Sequence, residues 1–373
     1  MEWKEVTISD IANLKNGKKR PSESGDVPVF GGNGIMDYVN SFNGEDTIVI
    51  GRVGAYCGCV YLSKGKCWVS DNAIAAKAKE DNDNEYLYYL LSSLNLNYHH
   101  IGGAQPLMTQ DIIGRIEVIV PQMKDDQRRI ASILSSLDRK IELNNKINAD
   151  LEEMAQAIFK NWFVDFEPFK DGKFVDSELG MIPEGWKVGR LGDITKNKSA
   201  KVKERNDVKV LSPVTTGELV LSEEYFTKQV FSSSIAKYKI VNKGDFAYNP
   251  ARVNIGSLGR NEFDFDGCVS PVYVVFSVLD GYENYFDLFR KTDFFKDSVA
   301  SLAIGGVRQS LSYDDLSSIE VIIPSENAVE EFNNLYNQMK KTIKANKLEN
   351  SRLSLLRDTL LPRLMSGELE VPE

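Results

Sequence analysis

Catalytic residue types and nucleotide-binding motifs are scarce in this chain. Its 373 residues include only two histidines, His99 and His100, so acid–base catalysis by histidine is poorly supplied. It has neither a G-x-x-x-x-G-K-[ST] phosphate loop nor a G-x-G-x-x-G turn after a strand. The nearest approach to the [DN]-P-P-[YF] motif of amino-methyltransferases starts at Asn249 and fails at its third residue, Ala251. We therefore predict no catalytic centre and no cofactor.

Cysteines and long apolar runs are also few. A zinc site built from the cysteines and the two histidines is conceivable, but the C-x-C spacing is not the usual one. We expect buried, reduced thiols and no metal at Cys57, Cys59, Cys67 and Cys268. No apolar run reaches the ~18 residues of a membrane span, and the first residues lack the apolar stretch of a signal peptide. We expect no membrane partner and a cytoplasmic location.

Positive charge is not in excess, but it is concentrated locally. The formal net charge is −9, which argues against a polyanionic partner. The charges of residues 186–324 nevertheless balance, because this stretch has 18 Lys and Arg and 18 Asp and Glu. For nucleic acid a local patch matters more than the sum, and the alternative is an ordinary solvated loop. The candidate phosphate contacts are Lys18, Lys19, Arg20, Lys198, Lys201 and Lys203.

A duplicated block is the clearest pattern in the sequence. "IGGAQPLMTQDIIGRIEVIVP" (Ile101–Pro121) and "IGGVRQSLSYDDLSSIEVIIP" (Ile304–Pro324) agree at nine of 21 positions. The segment from Trp3 is echoed from Trp186, so the repeat covers nearly the whole chain. Two large similar units are therefore favoured over a solenoid of short repeats. Short Val/Ile/Tyr-rich runs with Gly and Asn turns predict strands, and residues 83–100 and 282–299 each predict one amphipathic helix.

After each closing proline the pattern becomes that of a long helix. Apolar residues at 3–4 spacing predict helices at 124–160 and 325–361, each about 55 Å long. When the second series is set 202 residues after the first, Asn144 aligns with Asn346 inside both seams. A buried asparagine of this kind fixes coiled-coil register, whereas the alternative is that both face solvent. The matched seams predict that the two helices pair antiparallel.

These patterns predict an α+β fold. Two similar mixed α/β domains would be separated by two long antiparallel helices that form a coiled coil. The expected segments are a first domain at 1–122, a helix at 123–163, a linker at 164–185, a second domain at 186–324, a helix at 325–361 and a tail at 362–373. Paired rods longer than one DNA turn of about 34–36 Å would hold two readers at a fixed spacing.

Several of these motifs together resemble the specificity subunit of type I restriction–modification systems. They are the repeated I-G-G…I-E-V-I-x-P block, the crossover "ELGMIPEGWKVGRLGD" (Glu178–Asp193) and the ending "LLPRLMSGELEV" (Leu360–Val371). The resemblance implies two target recognition domains in a pseudo-twofold cyclic arrangement, one for each half of a bipartite duplex DNA target. It also implies a non-catalytic subunit whose helices bind two modification subunits, with a restriction subunit as a further partner.

Within the two domains, polar and glycine residues of the loops are the candidate DNA contacts. Gln suits adenine and Arg suits guanine in the major groove, whereas glycine lets the backbone approach a phosphate. The candidates, besides the basic clusters, are Arg52, Gly103, Gln105, Asn249, Arg252, Gly306, Arg308 and Gln309. For the arginines a surface ion pair is the alternative, and for the glycines a simple turn.

Two other functions compete with DNA reading. A coiled-coil scaffold, or an unpartnered subunit that binds protein, would account for the acidity of the chain. A single-chain methyltransferase would need a cofactor domain, for which this repetitive chain has no room.

Overall fold

Two compact units make up the chain. The computed structural model describes residues 1–102, 106–302 and 310–371. The first unit combines Met1–Ile147 with Ala345–Glu373, and the second is the continuous stretch Asn148–Lys344. Both mix short strands with helices, so the predicted α+β class is confirmed.

The first unit is built on two four-stranded sheets and a two-stranded ladder. Its strands are β1 (Trp3–Thr7), β2 (Ala12–Asn16), β3 (Ser24–Gly31), β4 (Gly34–Val39), β5 (Gly44–Glu45), β6 (Ile48–Gly51), β7 (Val60–Leu62), β8 (Lys66–Val69), β9 (Ala73–Ala78) and β10 (Glu117–Pro121). Its short helices are α1 (Ile8–Ile11), α2 (Asn84–Ser93) and α3 (Gln110–Gly114). The sheets have the strand orders β2-β9-β6-β7 and β4-β3-β8-β5, and β1 pairs antiparallel with β10.

The long helix α4 (Lys124–Phe163) follows and continues into the second unit. The strands of that unit are β11 (Phe174–Val175), β12 (Ile182–Pro183), β13 (Lys187–Arg190), β14 (Thr195–Lys198), β15 (Lys209–Pro213), β16 (Leu219–Leu221), β17 (Lys239–Val241), β18 (Phe246–Tyr248), β19 (Leu258–Arg260), β20 (Gly267–Val269), β21 (Val274–Val278) and β22 (Glu320–Ile323). Its short helices are α5 (Leu191–Ile194), α6 (Ser222–Tyr225), α7 (Glu283–Phe289), α8 (Asp293–Leu302) and α9 (Tyr313–Ser317). The second long helix is α10 (Glu326–Met365).

Each strand from β1 to β10 has a counterpart twelve strands later. The second unit has the sheet orders β14-β21-β18-β19 and β16-β15-β20-β17 and the ladder β13-β22, which repeat those of the first unit. The parallel pair β3–β8 is matched by the parallel pair β15–β20. The sequence repeat is therefore confirmed at the level of topology. In both units a fully buried strand, β6 or β18, lies inside its sheet, which explains why it lacks polar alternation.

In the first unit, the beginning of α4 contacts the end of α10. Asp138 accepts a hydrogen bond from Arg357 at 2.8 Å, and Asn144 donates to Asn350 at 2.9 Å. In these contacts the residue number increases along α4 while it decreases along α10, so the predicted antiparallel pairing is confirmed. The long-helix bounds differ from the predicted ones by a few residues, chiefly because α10 passes through Pro362 to Met365, where Leu364 and Met365 are buried in the first unit's core.

In the second unit, the end of α4 contacts the beginning of α10 through aromatic rings. Phe332 is fully buried, and its ring centroid lies 5.0 Å from Phe163 and 6.2 Å from Phe159. The ring of Trp186 packs against Phe163 and against Phe169 of the predicted linker. The linker is thus partly built into this core, which explains why so short a segment is so aromatic.

Two helices predicted from apolar periodicity are shorter than expected. The helix predicted at 83–100 ends at Ser93, because Asn95 adopts a left-handed conformation with φ 48°. The helix predicted at 282–299 is divided into α7 and α8. Thr292 separates them, since its hydroxyl accepts a hydrogen bond from the Phe295 amide at 3.3 Å and starts α8.

The cysteines lie in the sheets and loops. Cys57, Cys67 and Cys268 are buried, Cys59 is half-buried, and burial raises the pKa of the Cys57 thiol. Within the described ranges there is no cluster of side chains that could hold a metal ion. In the same ranges no helix is long and apolar enough to cross a bilayer.

Candidate nucleic-acid interface

In the first unit, the loop after β6 is tied to the segment that follows the I-G-G turn of the repeated block. Met108 N donates to Arg52 O at 2.8 Å, and Gly54 N donates to Pro106 O at 3.1 Å. Val53 also forms an isolated bridge with Leu107. Two separate candidate segments are therefore brought together on one part of the surface. Gly103 and Gln105 themselves lie outside the described residues.

Two glycines hold the Arg52 loop in a tight conformation. A Cβ on Gly51 would lie 2.0 Å from the carbonyl oxygen of Tyr56, which no side chain tolerates. Gly58 has φ 86°, and its Cβ would lie 2.4 Å from the amide nitrogen of Asn97. Glycine is required at both positions by close backbone approach, so the direction of the loop is fixed by its sequence.

The guanidinium of Arg52 keeps its charge uncompensated. Its only described hydrogen bond is a long one of 3.5 Å to the carbonyl oxygen of Asp71, and its Nε is buried without a partner. No carboxylate of a described residue pairs with it. A surface ion pair, the alternative reading of this residue, is thus not seen among the described residues, and the cation is free for an external acceptor.

The second unit has the same arrangement after β18, the counterpart of β6. Leu311 N donates to Pro250 O at 3.1 Å, and the Tyr248 hydroxyl donates to Leu311 O at 3.2 Å. Burial raises the pKa of Tyr248, so this hydroxyl stays a donor at neutral pH. The loop therefore returns to the segment that follows the second I-G-G sequence. Gly306, Arg308 and Gln309 lie outside the described residues.

Asn249 and Arg252 form the tip of that loop. The Asn249 side-chain oxygen accepts a hydrogen bond from Ala251 N at 3.1 Å, and Arg252 N donates to Asn249 O at 2.9 Å. The Arg252 side chain is exposed and pairs with no described residue. The amide nitrogen of Asn249 likewise has no described partner. Both side chains can donate hydrogen bonds to an outside group.

The predicted basic clusters differ in how much free charge they offer. Lys18 and Lys19 are exposed, whereas Arg20 forms an ion pair with Asp37. Lys198 donates to both carboxylate oxygens of Asp245, at 2.8 and 3.0 Å. Burial raises the pKa of Asp245, and its paired lysine partly opposes that shift. Lys198 is thus largely neutralised within the fold.

Lys201 and Lys203 are exposed, and Lys203 has φ 56°. The neighbouring Arg205 is bonded to Asp207 at 2.6 Å and to Asp266 at 3.1 Å. Within this cluster the lysines are therefore better placed than the arginine to meet a phosphate.

A pocket with a volume of about 320 Å³ lies beside the Asn249–Arg252 loop. Its walls are Val210, Leu211, Ser212, Pro213, Val214, Thr215, Tyr225, Phe226, Val230, Phe231, Tyr238, Asn249, Arg252, Ser257, Ser270 and Tyr273. Sequence reasoning missed this pocket and its aromatic residues. The signal was present, because 17 residues (222–238) separate β16 from β17, whereas four (40–43) separate the equivalent β4 and β5.

Asn144 lies fully buried in the first unit, where α4 meets α10. Its amide nitrogen donates to Glu349 at 2.7 Å and to Asn350 at 2.9 Å. The hydrogen bond from Asn144 to Glu349, with that from Lys140, lowers the pKa of Glu349. Asn346 is half-buried on α10. The shared register role of these two asparagines stays a prediction.

Comparisons with known proteins agree with this fold. Residues 1–153 match the family described as "Type I restriction modification DNA specificity domain". The chain is 29% identical over 306 residues to the type I restriction enzyme MjaIX specificity subunit of Methanocaldococcus jannaschii, covering 78% of this chain and 70% of that protein. It is 26% identical over 373 aligned residues to the HindI specificity subunit of Haemophilus influenzae, covering 76% of this chain and 77% of that protein. Its fold resembles the crystal structure of the type I S subunit from M. genitalium, with a TM-score of 0.63, 18% identity and coverage of 98% and 96% of the two chains.

The relatives named above are specificity subunits of type I restriction–modification systems, a non-catalytic class. The resemblance inferred from the repeated block, the crossover and the ending is therefore confirmed.

Proposed function

We propose that this chain is the sequence-reading subunit of a type I restriction–modification complex in the cytoplasm. Each unit reads one half of a bipartite duplex DNA target, and the long helices α4 and α10 bind two modification subunits. Methylation, and cleavage where a restriction subunit joins, are the work of those partners.

One observation carries the proposal: the same loop arrangement occurs in both units. An arginine-bearing loop follows an equivalent buried strand, β6 or β18, and is hydrogen-bonded to the segment that follows the repeated I-G-G sequence. Neither Arg52 nor Arg252 pairs with a described carboxylate. Uncompensated arginines on loops that rigid sheets position are suited to bidentate recognition of base edges.

Exposed apolar side chains on both long helices support the docking of protein partners. Leu355 is 70% exposed and Leu348 is 54% exposed, although the helix on which they lie buries Leu364. Leu143 and Leu356 in the first unit, and Leu335 and Met154 in the second, are also exposed. Apolar residues repeated along a surface indicate a protein-binding face.

Binding measurements on the chain assembled with its modification subunits test the proposal. We expect affinity for the specific duplex to exceed that for a scrambled duplex by about 10³-fold or more. The logarithm of the affinity should fall steeply with that of the salt concentration, by about 0.9 for each phosphate contact. Mapping of methylated adenines should give a two-part motif with a constant gap. Equal affinity for both duplexes at moderate salt would refute sequence reading.

A protein-binding scaffold is the second candidate. The net charge of −9, together with the internal pairing of Arg20, Lys198 and Arg205, favours it. A scaffold should show no steep salt dependence with random duplex, so the same titration at two salt concentrations separates the two functions.

A further inference from the structure

The pocket beside the Asn249–Arg252 loop has a lining that fits an aromatic ligand better than an anion. Tyr225, Phe226, Phe231, Tyr238 and Tyr273 contribute to its walls, and Arg252 is the one charged residue among the described residues of the lining. A phosphate site would be expected to offer several cations or a row of backbone amides. The volume of about 320 Å³ is at the lower end of the range for small-ligand pockets.

The polar groups of the pocket fall into two sets. Those used within the fold include the Ser257 hydroxyl, which donates to Pro213 O at 2.8 Å, and the Tyr238 hydroxyl, which accepts from Ser232 N at 3.0 Å. The Asn249 amide nitrogen, the Arg252 guanidinium and the Tyr225 hydroxyl have no described partner. The free groups are thus mainly donors, and they suit the ring nitrogens and carbonyl oxygens of a nucleobase.

The concave shape restricts how DNA could enter. Base edges in an intact duplex lie inside a groove and are reached by elements that protrude from the protein. A pocket can be filled only by a group that protrudes from the DNA, which is either a backbone phosphate or a base that has left the stack. Because the described lining is aromatic with a single cation, the base is the better match. Stacking on aromatic side chains offsets the cost of removing a base from the helix.

We propose that this pocket in the second unit takes up one unstacked base from the half-site that the second unit reads. The inference rests on the proposed DNA-reading function. Tyr225 supplies a stacking face, and Asn249 and Arg252 donate hydrogen bonds to the edge of the base. The 222–238 segment brings aromatic side chains to the loop. The equivalent connection in the first unit, residues 40–43, is much shorter. Only the second half-site is therefore distorted in this way.

Base-unstacking fluorescence on the complete complex tests the proposal. The chain is assembled with its modification subunits on its specific duplex, and 2-aminopurine is placed in turn at each position of the second half-site. We expect emission to rise several-fold at one position other than the methylated adenine, whose own unstacking would belong to the modification subunit. A mispair at that position should tighten binding roughly tenfold, because the cost of opening the pair is already met.

Matched variants assign the signal to the pocket. Tyr225→Ala should return the emission to that of free duplex, whereas Tyr225→Phe, which keeps the ring, should retain it. Tyr225 is 54% exposed, and Phe294→Ala, on α8 and 51% exposed, is the control outside the pocket. Circular dichroism confirms that each variant is folded.

The inference is overturned if no further position brightens, or if Tyr225→Ala leaves the signal unchanged, while the complex still prefers its specific duplex. A complex without that preference would instead refute the DNA-reading function, and the inference with it.

Discussion

The two units share ten equivalent strands in the same sheet orders but differ most in the length of one connection. Residues 40–43 join β4 to β5, whereas residues 222–238 join β16 to β17 and form much of a pocket beside the reading loop. The sheets and the returning segment fix where each loop lies. The comparison teaches that the frame is duplicated while the surface that faces a ligand is set by connections, which can change length without disturbing the sheets.

The largest effects should come from matched core positions. Ile130 and Phe332 are equivalent in the two helices, and both are fully buried. We expect Ile130→Ala to cost about 2–5 kcal/mol and Phe332→Ala about 3–5 kcal/mol of unfolding free energy. Hydrogen exchange should show that Ile130→Ala lowers amide protection in the first unit and that Phe332→Ala lowers it in the second unit. Leu355→Ala, which removes an exposed leucine, is the control. Equal loss of protection in both units from either variant would contradict the division.

The reading arginines offer a direct comparison of the two half-sites. Arg52→Ala and Arg252→Ala should each weaken specific binding by about 1–3 kcal/mol and relax discrimination only in the half-site of the altered unit. Binding to duplexes with single base changes measures this. Arg115→Ala removes an exposed arginine paired with Asp111 and should bind normally. If a variant weakens all duplexes equally and lowers the salt slope by about 1, that arginine contacts phosphate instead.

Asn144 should matter for the stability of the first unit. Asn144→Ala leaves Glu349 and Asn350 without a buried donor, so we expect a loss of about 1–3 kcal/mol in denaturant unfolding. Asn145→Ala is the matched control, because Asn145 is exposed and makes one hydrogen bond to Asn350. Comparable losses from the two variants would show that burial of Asn144 contributes little.

The smallest effect concerns acid stability of the second unit. Hydrogen bonding from Arg205 lowers the pKa of Asp207 to about 2, below its value of about 3.9 in an unfolded chain. A carboxyl whose pKa falls on folding stabilises the fold above the unfolded pKa, and this contribution is lost as the pH falls toward about 2. The small stability advantage of the wild type over Asp207→Asn should shrink across that window. A difference independent of pH would contradict the assignment.

The duplication and the long helices could be predicted because both leave periodic marks in sequence. Ile130 and Phe332 occupy the same place in their apolar series, and each is buried in the expected core. The break between α7 and α8 was missed because Thr292 interrupts a pattern that is apolar on both sides. At that point the Thr292 hydroxyl caps the start of α8, and this local hydrogen bond decides the helix boundary despite the continuing apolar periodicity.

The candidate site could be predicted only in part. Equivalent position in the repeat was enough to select Arg52 and Arg252 as loop residues. The sequence could not show that Lys198 is paired with Asp245, because 47 residues separate them. The pairing depends on the order of the strands in the sheet, in which β21 lies between β14 and β18. The pocket was missed for the same reason, since its walls come from segments that meet only after the sheets have formed.

The order of synthesis separates the two units, because the first unit's core includes Leu364 and Met365, which follow the whole of the second unit along the chain. A ribosome would release every residue of the continuous unit before the discontinuous one had all its parts. During that interval the strands of the first unit would expose apolar surface, and this state favours misassembly and chaperone binding.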